Sequence, residues 1–445
     1  MFWLTSLGYL LLLFVIFTGV KDPISKWFIT FIGSYWCISI IISTFNPYDI
    51  NDVSLRTYVY LLIDIISFLF GYFVYNSIKK IHKKNSANLG LIDVGSFYKN
   101  KKFKAILLVS FSVLSYLAIT QYKIILLQNG LGRLKLDFFD LVFNNNSYLY
   151  FLYQFFISPF FHVILALQAY LVFQGKDKKY MIIFGLYILL FAFVGGKRSY
   201  FLTFFFYLVV SFFVSNTYLF KKVLVRNYFI KKGKYIFLIF GLVFGFMVFM
   251  TSLSGGIGGD ENRIKTVSKG LSQQFIIYSI GPFRAFDIGL DNNYLRDSGG
   301  HLFGRATLGG GIDYYITALL KRVGINIKSA RELTMNKLQQ TPIKIGKNID
   351  FNFAYTNAMY HYYDFGVFGI FIFPFLFGIF VRYVIYKLYI KRTFSLYILL
   401  SFLFFACIQM LQFWYFIGLY PIAFVFFLLY LSRKEFKSMK KFNIK

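Results

Sequence analysis

The sequence predicts an all-α, polytopic integral membrane protein of about eleven transmembrane helices with one large, partly helical loop. Three observations carry that prediction. Only 15% of the residues are charged and 58% are hydrophobic, whereas a soluble domain carries about 25% charged residues. Apolar runs of about twenty residues, long enough to cross about 30 Å of hydrocarbon as helix, alternate with short basic clusters. The runs show no period-two alternation, which removes the closed barrel as the other way to satisfy a backbone in lipid.

Taken in order, the spans are expected near 1–20, 26–44, 57–77, 104–122, 149–173, 180–196, 199–216, 235–253, 366–386, 395–412 and 415–431. The first begins without a basic leader, and Lys21-Asp22-Pro23 follows it without a small-residue cleavage site, so it reads as a retained span. Basic clusters fall at 79–104, 176–179, 221–234, 387–392 and from Arg433 onward. Eleven spans put all five on one face, which is the cytoplasm if positive charge stays inside. The N-terminus is then outside and the C-terminus cytoplasmic. This divides the chain into helices one to eight (1–253), a large extracytoplasmic loop (254–365), helices nine to eleven (366–431) and a basic cytoplasmic tail (432–445).

The formal charge of +30 flanks the spans instead of forming one stripe. Topological sorting therefore explains it, and nucleic acid is not an expected partner. Cys37 and Cys407 both lie in apolar runs and read as small buried hydrophobes rather than a disulfide. The absence of an internal repeat counts against an inverted-repeat transporter.

Three constellations carry candidate chemistry. Gly195-Gly196-Lys197-Arg198-Ser199 joins the sixth and seventh spans and places two cations at the outer surface, against the positive-inside trend. They either snorkel to lipid phosphates or clamp an anionic headgroup, for which arginine's rigid fork is suited. The second lies in the large loop: Gly281-Pro282-Phe283-Arg284, His301-Leu302-Phe303-Gly304-Arg305 and Gly309-Gly310-Gly311. Glycines there would let the chain bend and bring backbone N–H groups to a ligand, or mark a flexible loop. Arg284 follows an apolar stretch, which would hold it at the membrane surface; the other reading is a loop surface charge.

The third is Asn352 to Asn357 with Tyr360-His361-Tyr362-Tyr363-Asp364-Phe365-Gly366 and Gly369, where the loop returns to the membrane. His361 and Asp364, three apart, would share a helix face. His361 titrating near neutrality would serve as a general base, or else it is a hydrogen-bonded histidine in a tyrosine-rich belt. Asp364 would equally cap the helix that follows. Asp64 and His162 are ionisable groups at membrane depth and so candidates by position, though nothing in the sequence pairs them. There is no P-loop, dinucleotide fingerprint, zinc spacing or Asp-x-Asp pair. The residues therefore imply no cofactor and no metal, and cationic side chains must stabilise any leaving group.

Gly-Gly-Lys-Arg-Ser between two spans, one large late outer loop, and the Tyr-x-Asp-Phe-Gly-x-x-Gly return together resemble the Wzy-type oligosaccharide repeat unit polymerases of O-antigen and capsule. The resemblance covers about 180–390. Lys197 and Arg198 match its basic motif, Gly281, Pro282 and Arg284 its Gly-Pro segment, and Asp364, Phe365, Gly366 and Gly369 its return motif. It implies a metal-independent inverting glycosyltransferase in the bacterial cytoplasmic membrane. Its partners would be undecaprenyl-diphosphate-linked oligosaccharides and membrane lipids, leaving room for a chain-length regulator and a flippase of the same pathway. On that expectation Lys197, Arg198, Arg284 and Arg305 hold the diphosphate. His361 is the first candidate for the general base and His301 the second.

Two enzyme alternatives remain. One is an O-antigen ligase with the same cationic sites; the other is a polyprenyl-phosphate-sugar transferase using Asp49 or Asp52. A glycolipid flippase or transporter is the alternative from another class, and would need cations along its spans.

Overall fold

The computed structural model describes residues 8–12, 16, 23–78, 94–128, 143, 147–174, 177–195, 199–219, 263–297, 299–338, 343–347, 349–351 and 355–442. The expected span 235–253, most of 1–20 and the 221–234 cluster lie outside them, as do Lys197 and Arg198.

The described chain is mostly helical. Its principal helices are α1 (Pro23–Ser43), α2 (Leu55–Ile78), α3 (Lys101–Gln128), α4 (Ser158–Gln174), α5 (Lys178–Gly195), α6 (Ser199–Leu219) and α7 (Arg263–Asp291). After them come α8 (Gly310–Arg322), α9 (Ala330–Leu338), α10 (Asn357–Phe365), α11 (Val367–Lys391), α12 (Phe394–Gln409) and α13 (Pro421–Phe442). Among the described residues, six helices are long and apolar enough to span a bilayer: Ile24–Ser43, Leu55–Tyr75, Lys101–Lys123, Tyr148–Phe173, Lys178–Gly195 and Val367–Lys391. Tyr200–Ser215 and Phe394–Gln409 are shorter apolar helices. The chain is thus a multi-pass α-helical membrane protein. The last expected span is built differently from the reading of 415–431: Tyr415–Ile417 form a 3-10 turn and the helix starts at Pro421. Proline, which lacks the N–H a first helical turn leaves unbonded anyway, suits that start.

The described residues form two compact units, Met1–Leu89 with Ser272–Lys445, and Gly90–Leu271. In the first, α2 and α11 pack backbone to backbone. A Cβ at Gly71 would overlap the Phe375 carbonyl, and one at Gly378 would overlap that of Phe68. Reciprocal glycines of this kind let helices approach closely where lipid offers no hydrophobic drive for association. All sixteen residues of α12 are buried, as expected of a helix apolar on every side. Trp36 of α1 donates its indole N–H to the Cys407 carbonyl at 2.9 Å. Both cysteines are buried free thiols.

The second unit is knit by aromatic rings. Phe161 and Phe191 stack with centroids 3.9 Å apart, and Tyr153 stacks on Phe191 at 5.6 Å. His162 Nδ1 lies 2.8 Å from the Tyr207 hydroxyl.

The region read as the large loop is partly helical, and Gly281 and Pro282 lie inside α7 rather than in a bend. A departure from all-α is the antiparallel ribbon of β1 (Ile343–Gly346) and β2 (Ile349–Phe351), which pairs Ile343 with Phe351 and Lys344 with Asp350. The 45–54 segment docks on it: Asn51 N–H donates to the Ile345 carbonyl at 2.8 Å, and Ile50 bridges to Gly346. Gly281 faces Ile345 and Phe351 so closely that a side chain there would crowd both.

Candidate functional site

The site grows from the joint between α10 and α11. Gly366 takes φ 60° there, a backbone that glycine adopts without penalty. Three residues on, a Cβ at Gly369 would overlap the His361 carbonyl oxygen. The two glycines of the Gly-x-x-Gly pair therefore have separate jobs, one turning the chain and the other letting α11 lie on α10. No side chain caps α11; Asp364 is used elsewhere.

Its carboxylate accepts the backbone N–H of Ala306 at 2.9 Å and of Thr307 at 2.7 Å. Upstream, Leu302 N–H donates to the Tyr363 carbonyl at 2.9 Å and Phe303 N–H to that of Asp364 at 3.2 Å. The last turn of α10 thus holds the whole 302–307 segment. Burial raises the Asp364 carboxyl above its ordinary range, opposed by the Thr307 hydroxyl and the backbone N–H groups.

His361, one turn earlier, reaches the same segment. Its Nδ1 lies 3.0 Å from Thr307 Oγ1 and its Nε2 lies 3.3 Å from the Asn357 amide nitrogen. That amide also donates to both carboxylate oxygens of Asp64, at 3.0 and 2.9 Å, across 293 residues of sequence. Trp414 closes the site, with its ring 4.8 Å from the imidazole and its indole N–H on the Thr307 carbonyl at 2.8 Å. His361 is fully buried, and burial pushes its pKa down to about 3. It is therefore neutral near pH 7, enclosed, and bonded at both nitrogens.

His301 is exposed. It lines a cavity of about 500 Å³ with Phe303, Gly304, Leu308, Phe365, Phe368 and neighbouring α11 residues. The walls are almost wholly apolar, and Phe368 and Ile372 belong to the first turns of a membrane-spanning helix. A hydrocarbon chain suits such walls, with the imidazole as the polar group beside it.

Arg284 sits mid-helix in α7, 20% exposed, paired through Nη1 with the buried Asp287. Asp287 also accepts from Thr57 Oγ1 at 2.7 Å, from Ser54 Oγ and from Ser54 N–H at 3.2 Å. It fastens α7 to the first turn of α2. Arg284 Nε is buried with no hydrogen-bond partner among the described residues. Arg56, which the sequence reading passed over, pairs with Asp291 at 2.7 Å on the same flank. Tyr60 stacks on Tyr362 between α2 and α10.

Arg305 is committed differently. Its Nε donates to Asp313 at 2.6 Å and its Nη2 to the Lys328 carbonyl at 2.8 Å, while Asp313 also takes the Ala330 N–H. It ties the 301–308 segment to α8 and α9. The glycines at 309–311 open α8, and Gly311 lies against the Leu419 carbonyl, with no room for a Cβ. Gly311 serves close backbone approach rather than a ligand cradle.

The structure therefore gathers Asp64, Arg284, His301, Arg305, Asn357, His361 and Asp364 into one unit, with Thr307, Asp287 and Trp414 as unforeseen members. Asp287 was legible as the i+3 partner of Arg284. The Asp64–Asn357 pair had no local signal. Among the described residues no three His, Cys, Asp or Glu side chains converge as metal ligands would. Comparison with known proteins finds no matching family model, no matching curated protein and no matching solved structure.

Proposed function

We propose that this chain polymerises undecaprenyl-diphosphate-linked oligosaccharide repeat units into a surface polysaccharide on the outer face of the bacterial cytoplasmic membrane. The observation that carries the reading is the His301 cavity. An apolar chamber opening at the first turn of a spanning helix, with an exposed imidazole on its wall, fits a lipid-linked substrate whose reacting group sits at the membrane surface. Arg284, 20% exposed on the same unit, supports it by offering fixed positive charge to a diphosphate. In this reading the N-terminus lies outside and the C-terminus in the cytoplasm.

The step is a displacement at an anomeric carbon. A hydroxyl of one repeat unit attacks that carbon as its bond to the diphosphate oxygen breaks, and the diphosphate leaves with the bonding electrons. Arg284 takes up the charge that develops. The hydroxyl proton passes to the exposed imidazole of His301. His301 replaces His361 as first candidate for the base, because an enclosed imidazole with both nitrogens bonded has no access to a substrate hydroxyl. Arg305 positions the segment that bears His301.

The test is the glycan profile of a strain lacking the gene, complemented with wild type, Arg284→Ala or His301→Ala. Collapse to single repeat units in the null and both variants is the expected result. Full-length glycan that fails to reach its final acceptor would favour the ligase, and loss of all externally exposed lipid-linked units the flippase.

A further inference from the structure

We propose that Asp64, Asn357 and His361 are positioning residues that set the place of the 301–307 segment, and with it His301, through the Thr307 hydroxyl. The proposal rests on the reading that the His301 cavity takes substrate.

Each link in the chain fixes the direction of the next. Asn357 turns its NH₂ toward Asp64, whose two carboxylate oxygens both lie within 3.0 Å of it. The same NH₂ faces His361 Nε2 at 3.3 Å, which makes that nitrogen an acceptor and places the ring hydrogen on Nδ1. Nδ1–H then donates to Thr307 Oγ1 at 3.0 Å. With one lone pair so engaged, the Thr307 hydroxyl gives its own hydrogen to Asp364. All five side chains are buried. No link can reverse without leaving a donor facing a donor or an acceptor facing an acceptor, at about 1–3 kcal/mol per orphaned group.

An apolar cluster of the same volume would pack this joint as well, because buried polar sets often stabilise no more than hydrophobic replacements do. What the polar chain adds is a single allowed placement. Thr307 is gripped at its amide N–H by Asp364, at its carbonyl by Trp414 and at its hydroxyl by His361. The segment it ends begins at His301, whose ring lies beside Gly366. A carboxylate in a spanning helix thereby orients an exposed imidazole in the cavity wall.

Two measurements on the full-length protein in lipid nanodiscs test this without relying on glycosyl transfer. The first is ¹⁵N NMR of the four histidines, with His361 assigned by difference from His361→Asn. It should show a neutral Nδ1–H tautomer unchanged from about pH 8 to about pH 5; an Nε2–H tautomer or a cation in that range overturns the chain. The second is the rate at which diethyl pyrocarbonate modifies His301, read by peptide mass spectrometry. Thr307→Val should change it about threefold or more, the low end of coupling within one network, and Thr307→Ser should restore it. The double replacement Asp64→Leu with Asn357→Leu, which leaves no unpaired charge, should act like Thr307→Val. A His301 rate at the wild-type value in Thr307→Val means the chain serves packing alone, and the proposal fails. If the variants also elongate glycan, kcat should fall with KM nearly constant. The expected tautomer in the wild type and the rate change in Thr307→Val, with no elongation by the wild type, would sink the proposed function and leave the positioning role standing.

Discussion

The two units bury polar groups in opposite ways. In Gly90–Leu271, His162 meets the Tyr207 hydroxyl within a wall of stacked rings around Phe161 and Phe191. In the other unit, His361 is one link in a chain of five polar side chains joining α2, α10 and the 301–307 segment. Ring stacking tolerates small slides, because dispersion and quadrupole terms vary slowly with offset. A directed hydrogen-bond chain does not, since its geometry fails within about half an ångström. The first unit is thus built to hold a shape, and the second unit's rings are built to fill one.

The sharpest way to break the contrast is at Asp364. Asp364→Ala orphans two buried N–H groups and the Thr307 hydroxyl, so a loss of about 4 kcal/mol is expected, read as a fall in melting temperature with loss of glycan elongation. Phe161→Ala in the aromatic wall should cost about 3 kcal/mol as a cavity, with the His301 modification rate unchanged. If Phe161→Ala shifts that rate as Thr307→Val does, the contrast is wrong.

A pH series sharpens it further. The folded state holds His361 neutral down to about 3, below its ordinary 6.5. An unfolded chain binds that proton earlier, so stability is full above about 6.5 and declines as pH falls from there toward about 3. His361→Asn should flatten that part of the profile, measured by melting at stepped pH. The smallest effect belongs to Lys321 and Glu332, 2.9 Å apart at the surface. Burial raises the Glu332 carboxyl, but Lys321 and the Ser329 N–H and hydroxyl together outweigh it and hold the group below its ordinary range. Its contribution is present near neutrality and lost as pH falls below that range. Glu332→Gln should cost under about 0.5 kcal/mol, less in high salt.

Much of the bundle was legible because hydropathy has a length scale set by the bilayer, and the spans read at 26–44, 57–77, 104–122, 149–173, 180–196 and 366–386 coincide with long apolar helices. The β1–β2 ribbon was not, since strands of four and three residues carry too little pattern to separate from loop. Of the site, the one-turn spacing of His361 and Asp364 placed both on Thr307, as a shared helix face requires. Their burial was invisible, because it depends on Trp414 and on the Gly369 contact, neither of which is local. Asp64 was singled out by depth alone; its partner lay on a helix that sequence separation hides. The basic pair Lys197 and Arg198 lies outside the described residues.

One feature of Asn357 reaches beyond placement. Proton hopping along a hydrogen-bonded file needs every member to accept on one side and donate on the other. The Asn357 NH₂ donates both ways, toward Asp64 and toward His361, so it is a watershed. A proton bound by the carboxylate inside the spanning helix has no file to follow toward the imidazole. The membrane-embedded acid and the exposed cavity are mechanically joined and protonically insulated, which lets a polar network reach into the bilayer without opening a leak.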